Sequence, residues 1–323
     1  MKICIGSNIV DGPWGGGNLF LKNLKNYLIE NNIEVVFNLD DKDIDLILFT
    51  DPRSTFGSTS SIKKSQIKNY LKKNKNTVVV QRINECDERK NTRGVNRKYI
   101  RASSIADHIV FVSNWLMNLY CSQGINGSIS SVILSGSNTK NFNTKDKKNW
   151  NKSEKIKLIT HHWSDNWMKG FKIYQKIDNL LNDTNLSEKL EFTYLGNYPK
   201  NLQFIKTSTI SPVDEQITAE ILKNHHIYIT ASINEPSGNH HIEAAQCGLP
   251  ILYLESGGIT EYCEGYGLSF TEDNLEEKIY EIIEKYDYFT ELLKKYPQSS
   301  EKMCSDYLDL FRTLINSKKN QSL

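Results

Sequence analysis

Short apolar runs alternate with amphipathic stretches along almost the whole chain, and this alternation narrows the possible folds more than any other feature. In the first half, strands are predicted at Lys2–Gly6, Glu34–Asn38, Asp45–Phe49, Thr77–Arg82, His108–Val112 and Ser130–Leu134. Helices are predicted near Asn18–Glu30, Ser61–Lys73 and Asn114–Ser122. Leu19, Phe20, Leu24, Tyr27 and Leu28 recur at helical spacing, as the buried face of a helix lying on a sheet requires. A polar stretch, Asn141–Glu154, rich in Lys, Asn and Asp, then breaks the pattern as a linker would. Beyond it the alternation restarts. Strands are predicted at Lys157–His161, Glu191–Leu195, Ile227–Ala231, Ile251–Leu254 and Leu268–Phe270. Helices are predicted at Lys172–Leu181, Glu215–Lys223, Asn239–Cys247 and Leu275–Tyr286. This order predicts an α/β protein built on doubly wound parallel sheets. At 323 residues the chain exceeds one hydrophobic core, so two facing Rossmann-like domains are expected, over 1–150 and 151–302. A ligand would then sit in the cleft between them, outside the carboxyl ends of the strands.

The overall charge excludes one large class of function. A formal net charge of +2 lacks the basic excess of a dedicated nucleic-acid binder. The six cysteines, Cys4, Cys86, Cys121, Cys247, Cys263 and Cys304, are scattered without a CxxC pair, which suits a reducing compartment better than a disulfide framework. The first apolar run is too short for a signal peptide, and no segment reaches the ~18 consecutive apolar residues of a membrane span. A soluble, cytoplasmic protein is expected.

The densest chemical signal is Glu235-Pro236-Ser237-Gly238-Asn239-His240-His241-Ile242-Glu243, which follows a predicted strand and opens a predicted helix. Glycine here lets backbone N–H groups approach a ligand, and a helix N-terminus favours negative charge, so a diphosphate is a natural guest. Glu235 and Glu243 straddle that anion site and are suited to accept hydroxyls of a sugar and a ribose. Gly257 and Gly258, in Ser256-Gly257-Gly258-Ile259-Thr260-Glu261, offer a second phosphate-side loop.

The string from Glu235 to Glu243, with Ala244-Ala245-Gln246-Cys247-Gly248-Leu249-Pro250, Gly257-Gly258-Ile259-Thr260-Glu261 and Gly265-Tyr266-Gly267-Leu268, resembles the retaining glycosyltransferases of family 4. That family has the GT-B fold and a Glu–x7–Glu motif. The resemblance covers most of the chain, more loosely in the first half. It implies that Glu243 holds the donor ribose and that Glu235 lies beside the donor sugar. Gly238 and Asn239 would be backbone donors to sugar and phosphate, with His240 next to them. In Thr160–Gly170, Lys169 matches the lysine that binds the diphosphate, while His162 or Trp163 stands near the place of the family's arginine. The resemblance also implies no metal, no cofactor beyond the nucleotide-sugar donor, and no required covalent intermediate. Met303, Tyr307, Leu308, Leu310, Phe311, Leu314 and Ile315 recur at near-helical spacing, and the fold implies that this terminal helix, over 303–318, packs back on the first domain.

In the first domain, Gly12-Pro13-Trp14-Gly15-Gly16-Gly17-Asn18 is a glycine-rich anion loop, which the resemblance places over the donor phosphates. It is not the dinucleotide fingerprint, although Asp40 or Asp41 could imitate the ribose acid of a dehydrogenase. The run Gln81–Lys90 is dense in polar groups, and Glu85 and Asp87 are candidates to hydrogen-bond a hydroxylated acceptor or assist proton transfer. The family often has a histidine there and this chain has none. Three doubled histidines, His161–His162, His225–His226 and His240–His241, suggest zinc, but adjacent residues point apart and no spaced ligand set accompanies them. Asp41, Asp43 and Asp45 imitate a DxD metal motif, yet Asp45 begins an apolar strand. Six lysines between Lys63 and Lys75 would let that helix touch an anionic membrane, or simply form a solvated face.

The expected function is transfer of a sugar from a nucleoside-diphosphate donor to a glycan or lipid-linked acceptor, with retention, as in surface polysaccharide or lipopolysaccharide assembly. A nucleotide-sugar 2-epimerase of the same fold and an inactive sugar-nucleotide-binding protein are the alternatives.

Overall fold

The computed structural model describes residues 1–10, 15–53, 60–182 and 184–321. Its backbone contacts divide the chain into two units: residues 1–135 together with the helix beginning at Ser300, and Gly136–Ser299.

The first unit holds a six-stranded sheet of β1 (Lys2–Ile5), β2 (Glu34–Val36), β3 (Leu46–Phe49), β4 (Val78–Ile83), β5 (His108–Phe111) and β6 (Ser130–Val132), in the order β2-β1-β3-β4-β5-β6. Every pairing is parallel. Continuous apolar strands such as Leu46–Phe49 and Val78–Val80 are buried on both faces, as a sheet sandwiched between helices demands. Alternate residues serve opposite sides. Leu46, Leu48, Val78 and Val80 pack with Phe20, Leu24 and Leu28 of helix α1 (Gly16–Glu30). Ile47, Phe49 and Val79 pack instead with Ile62 and with Ile67 of α2 (Lys64–Leu71). Helices α3 (Val95–Ser103) and α4 (Asn114–Ser122) complete the part of this unit that precedes the second.

The second unit repeats the plan with β7 (Ile156–His162), β8 (Leu190–Gly196), β9 (Ser208–Ile210), β10 (Ile227–Thr230), β11 (Ile251–Leu254) and β12 (Gly267–Phe270), ordered β12-β11-β10-β7-β8-β9 and parallel throughout. Its helices are α5 (Phe171–Leu180), α6 (Thr184–Ser187), α7 (Glu215–Lys223), α8 (Asn239–Gln246), α9 (Thr260–Cys263), α10 (Leu275–Glu284) and α11 (Tyr286–Leu293). The stretch Asn141–Glu154 lies within this unit. The Lys148 N–H donates to the Lys223 carbonyl at 2.9 Å, and Lys147 Nζ donates to the Tyr286 hydroxyl at 3.0 Å. Helix α12 (Ser300–Gln321) belongs to the first unit, where Met303, Cys304, Tyr307, Leu308, Phe311 and Ile315 enter the core beside α1.

Several elements depart from the sequence-based expectation, among them the short helices α6 and α9 and the following three. Helix α3 falls just past a stretch read as a polar loop, because its buried residues, Asn96, Tyr99 and Ala102, include no run of aliphatic side chains. Strand β9 is a three-residue edge with Ser208 and Thr209 exposed. The helix expected over Leu275–Tyr286 ends at Glu284, and a separate helix begins at Tyr286. Among the described residues, no helix is long and apolar enough to cross a membrane.

In each sheet the strand order reverses beside the first strand, between β1 and β3 and between β7 and β10. Loops leaving the carboxyl ends at these points diverge and leave a crevice, the usual ligand position in doubly wound sheets.

Candidate active site

The crevice of the second unit is built from the end of β7, the loop after it, and the β10–α8 connection. His161 and His162 end β7 and, being adjacent on a strand, turn opposite ways. His162 joins Thr160 and Tyr174. Its Nε2 lies 2.7 Å from the Tyr174 hydroxyl, and the two rings stack with centroids 5.6 Å apart. His161 Nε2 lies 2.9 Å from Glu243 Oε2, and since a carboxylate only accepts, that nitrogen carries the proton. The other nitrogen of His161 is buried without a hydrogen-bond partner.

The β10–α8 loop folds back on itself for reasons visible residue by residue. The Ile233 N–H donates to the Met168 carbonyl at 2.8 Å, and the Asn234 N–H donates to Ser256 Oγ at 2.9 Å. The Glu235 carbonyl accepts the Gly258 N–H at 2.8 Å. Gly257 has φ of +68°, and a Cβ there would sit 2.4 Å from the Glu235 carbonyl oxygen, so this close approach needs glycine. Gly238 has φ of +79°, and its missing Cβ leaves space that would otherwise meet Glu235 Cγ and the rings of His240 and His241. These contacts sink the Glu235 side chain to 2% exposure, where it forms an ion pair with Lys169. Lys169 is itself held by a short 3₁₀ turn whose first residue, Asn166, caps it by accepting the Met168 N–H.

Helix α8 starts at Asn239 with no side-chain cap and no acid in its first turn, so its leading N–H groups retain their hydrogen-bonding capacity and partial positive charge. His240 and His241 lie in that first turn. His240 Nε2 is 2.9 Å from Thr230 Oγ1, and its ring is 4.5 Å from that of His162. Burial holds the pKa values of His162 and His240 well below the ordinary histidine value and pushes His241 down to about 3. All three are therefore neutral at pH 7. His162, which stands near the place of an expected arginine, supplies no positive charge, and Lys169 is the cation that this cluster presents to an anion. Among the described residues, no group of three or more His, Cys, Asp and Glu is placed to hold a metal ion.

Lys169, Glu235, Gly238, Asn239, His240 and Glu243 are thus brought together in one cluster, with Glu235, His240 and Glu243 buried and the others half-buried. Gly257 and Gly258 adjoin it in a different capacity from the phosphate loop expected of them. The Gly258 N–H is already committed to Glu235, so the pair shapes the loop rather than offering an open cradle.

The first unit presents its own candidates. Gly15, Gly16 and Gly17 form the N-cap and first two residues of α1, again without a side-chain cap; Gly12, Pro13 and Trp14 lie outside the described residues. Glu85 is buried after β4 and pairs with Arg89 at 3.3 Å and Lys90 at 3.4 Å. Asp87 does not have the free carboxylate expected of an acceptor-side group. It accepts N–H groups of Gly94, Val95 and Asn96 and the Thr92 hydroxyl, all between 2.9 and 3.0 Å, and so ties down the start of α3. Burial alone would raise its pKa, but those donors outweigh it and hold the carboxyl below the ordinary aspartate range. Asp87→Ala is therefore expected to cost about 1–2 kcal/mol of stability, as loss of a helix cap does, in a chemical-denaturation measurement on the first unit.

His161 and Tyr174 are the positioning residues that sequence reasoning missed. Their partners lie 82 and 12 residues away, and only the doubled histidine at 161–162 drew attention to the place.

No family model matches the sequence, and a search of curated proteins finds no match. Solved structures do match over nearly the full length. HepE of Anabaena in complex with UDP and glucose aligns with a TM-score of 0.67 at 13% identity, covering 96% of this chain and 99% of that one. Sucrose-phosphate synthase of Thermosynechococcus elongatus aligns with a TM-score of 0.68 at 14% identity, covering 98% and 99%. WaaG, a glycosyltransferase involved in lipopolysaccharide biosynthesis, aligns with a TM-score of 0.66 at 12% identity, covering 96% and 99%. The fold is GT-B. The cluster around Glu235 and Glu243 lies at the carboxyl end of the second sheet, after β10 and at the start of α8.

Proposed function

We propose that this chain is a retaining glycosyltransferase that moves a sugar from a nucleoside-diphosphate sugar to an acceptor hydroxyl. The observation that carries this reading is the pair of contacts, the half-buried Lys169–Glu235 and the buried His161–Glu243, set beside the uncapped start of α8 at the reversal point of the second sheet. The arrangement offers a cation and free N–H groups to an anion, flanked by two carboxylates suited to hydroxyls. A nucleoside diphosphate joined to a sugar presents that combination. The likeness to HepE, whose structure holds UDP and glucose, supports the same donor class.

In the proposed step, the bond between the sugar's anomeric carbon and the diphosphate oxygen breaks, and a bond to the acceptor oxygen forms on the same face. The acceptor proton passes to the departing diphosphate. Lys169 and the first N–H groups of α8 take up the charge that develops there, which is where fixed dipoles in a buried site contribute most. Glu235 lies beside the sugar. Glu243 holds the ribose through Oε1, because Oε2 is already occupied by His161. The reaction needs no cofactor beyond the donor. The acceptor is a glycan or a lipid-linked sugar, and the basic stretch Lys63–Lys75 gives the first unit a surface for an anionic membrane.

A panel of nucleotide sugars, read by calorimetry for binding and by nucleoside-diphosphate release for turnover, tests the reading. Binding of none of them would sink it, and sugar interconversion without an acceptor would turn it into an epimerase. Glu243→Ala is expected to weaken the nucleotide by about 1.5–3 kcal/mol, the scale of hydrogen bonds to a charged group. Unchanged affinity in the folded variant would remove Glu243 from the ribose.

A further inference from the structure

Arg82 of the first unit is only 3% exposed, yet no carboxylate pairs with it among the described residues and its Nε lacks a hydrogen-bond partner. Its position follows from the alternation of β4. Val78 and Val80 face α1 and α12, so Arg82, two residues on, emerges on the same side at the carboxyl end of the strand. There the guanidinium lies 3.9 Å from the centroid of the Phe20 ring, one turn into α1. Asn84, two residues further, reaches the first turn of the same helix: a Cβ on Gly17 would stand 3.7 Å from Asn84 Nδ2. Helix α1 begins without a side-chain cap and with no acid in its first turn. Asn18, which could have capped it, turns its amide back to Val10, accepting from the N–H at 2.8 Å and donating to the carbonyl at 2.7 Å.

Among the described residues, Asp51 and Glu85 are already engaged. Asp51 is gripped by Arg53 at 2.8 Å, and Glu85 by Arg89 and Lys90. Arg82 is the cation of this group that no described acid pairs with. A buried guanidinium without a counter-charge is an expensive arrangement, and a ring face relieves only part of the cost. It becomes economical when an anion completes it, and the uncapped N–H groups of α1 point to the same occupant.

We propose that Arg82, Asn84 and the first turn of α1 bind a phosphate group carried by the acceptor substrate. This rests on the reading that the second unit takes the donor. That unit already has a half-buried cation, Lys169, and an uncapped helix for the donor's diphosphate. The first unit carries the same devices, a cation and an uncapped helix, and this assigns the start of α1 to an anion on the acceptor in place of the donor phosphates that the resemblance implied.

Calorimetric titrations of the whole chain with inorganic phosphate and, separately, with UDP, in chloride buffers of matched ionic strength, test this. Wild type is expected to bind phosphate saturably, Arg82→Gln at least tenfold more weakly, and both to bind UDP within twofold of each other. Without phosphate, Arg82→Gln is expected to melt no lower than wild type, because it removes an uncompensated charge; a merely structural arginine would make it melt lower. Should Arg82→Gln fail to fold, that outcome itself marks a structural arginine and overturns the proposal. Asn84→Ala provides a second reading and is expected to weaken phosphate severalfold. Phosphate affinity unchanged in Arg82→Gln, or UDP weakened tenfold along with it, also overturns the proposal, the latter by giving the anion to the donor. Competition then separates the sources: displacement by glucose 6-phosphate marks a soluble phosphate ester, and displacement by phosphatidylcholine vesicles containing phosphatidic acid marks a lipid-borne one. Displacement by neither removes the acceptor from the site. The phosphate titration needs no turnover, so its failure is distinct from a failure of wild type to bind any nucleotide sugar.

Discussion

Lowering the pH from about 7 to about 5 is expected to strip much of the second unit's stability while leaving most of the first unit's in place. Six of the seven histidines lie in the second unit, and burial is the main influence lowering the pKa of five of them, His162, His225, His226, His240 and His241. Burial depresses His225 and His226 to about 4 and His241 to about 3. The hydrogen bonds agree with neutral rings: His226 Nδ1 accepts the Lys157 N–H at 3.0 Å, which a protonated nitrogen cannot do. In the unfolded chain the same side chains titrate near 6.5. Between those values the unfolded state takes up protons that the native state refuses. Stability is therefore full above about pH 6.5, falls as the pH drops, and levels off only once the folded rings themselves protonate. At about pH 5 each of these three histidines contributes a loss of about 2 kcal/mol, together about 6, against the 5–15 kcal/mol that usually hold a domain folded. His162 and His240 add to the loss in the same direction. Hydrogen exchange followed by mass spectrometry localises the effect. Undiminished protection of peptides from 156–293 at about pH 5 would refute it.

The second large effect is expected at Lys169. Replacing it by alanine should lower turnover by about 10²–10³-fold, or roughly 3–4 kcal/mol, as removal of a group that stabilises developing charge does. The same change takes the Lys169 ion pair away from the buried Glu235 carboxylate, which costs up to about 3–5 kcal/mol of stability in its own right. The two losses can be separated because they have different remedies. In Lys169→Met combined with Glu235→Gln, neither charge remains to be desolvated, and the melting temperature should recover. Turnover should not, because nothing replaces the cation beside the departing diphosphate. Nucleoside-diphosphate release from a saturating donor is the measurement. A folded double variant that turns over like wild type would remove Lys169 from the reaction.

Local chemistry made much of this molecule legible. Val78–Val80 and Leu46–Phe49 read as strands buried on both faces because few other arrangements accept so continuous an apolar run. Gly238 read as a site of close backbone approach and has positive φ in the structure, whereas Gly257 and Gly258, read as a phosphate-side loop, instead let the chain close on the Glu235 backbone. What escaped was what depends on distant partners. Glu243 was visible, but that His161 occupies one of its oxygens was not, since 82 residues separate them. Asp87 resembled a reactive acid in a polar run, and only the path of the chain through Thr92–Asn96 turned it into a cap. Arg82 was one charge among many in the same run until the strand's alternation placed it under cover on the face shared with α1. The charge state of His162 was equally hidden, because burial sets it and burial is a property of the folded unit.

The place of α12 has a bearing on how the protein comes into being. The core formed by Ile3, Leu24, Leu46 and Val80 is closed by Met303, Tyr307, Phe311 and Ile315, which are added to the growing chain only after the whole second unit. On the ribosome, the half made first waits with an apolar flank uncovered, while the half made second can complete its own core at once. The order of maturation is thus the reverse of the order of synthesis. The interval in which chaperones would find the nascent chain sticky ends when residues 300–321 emerge.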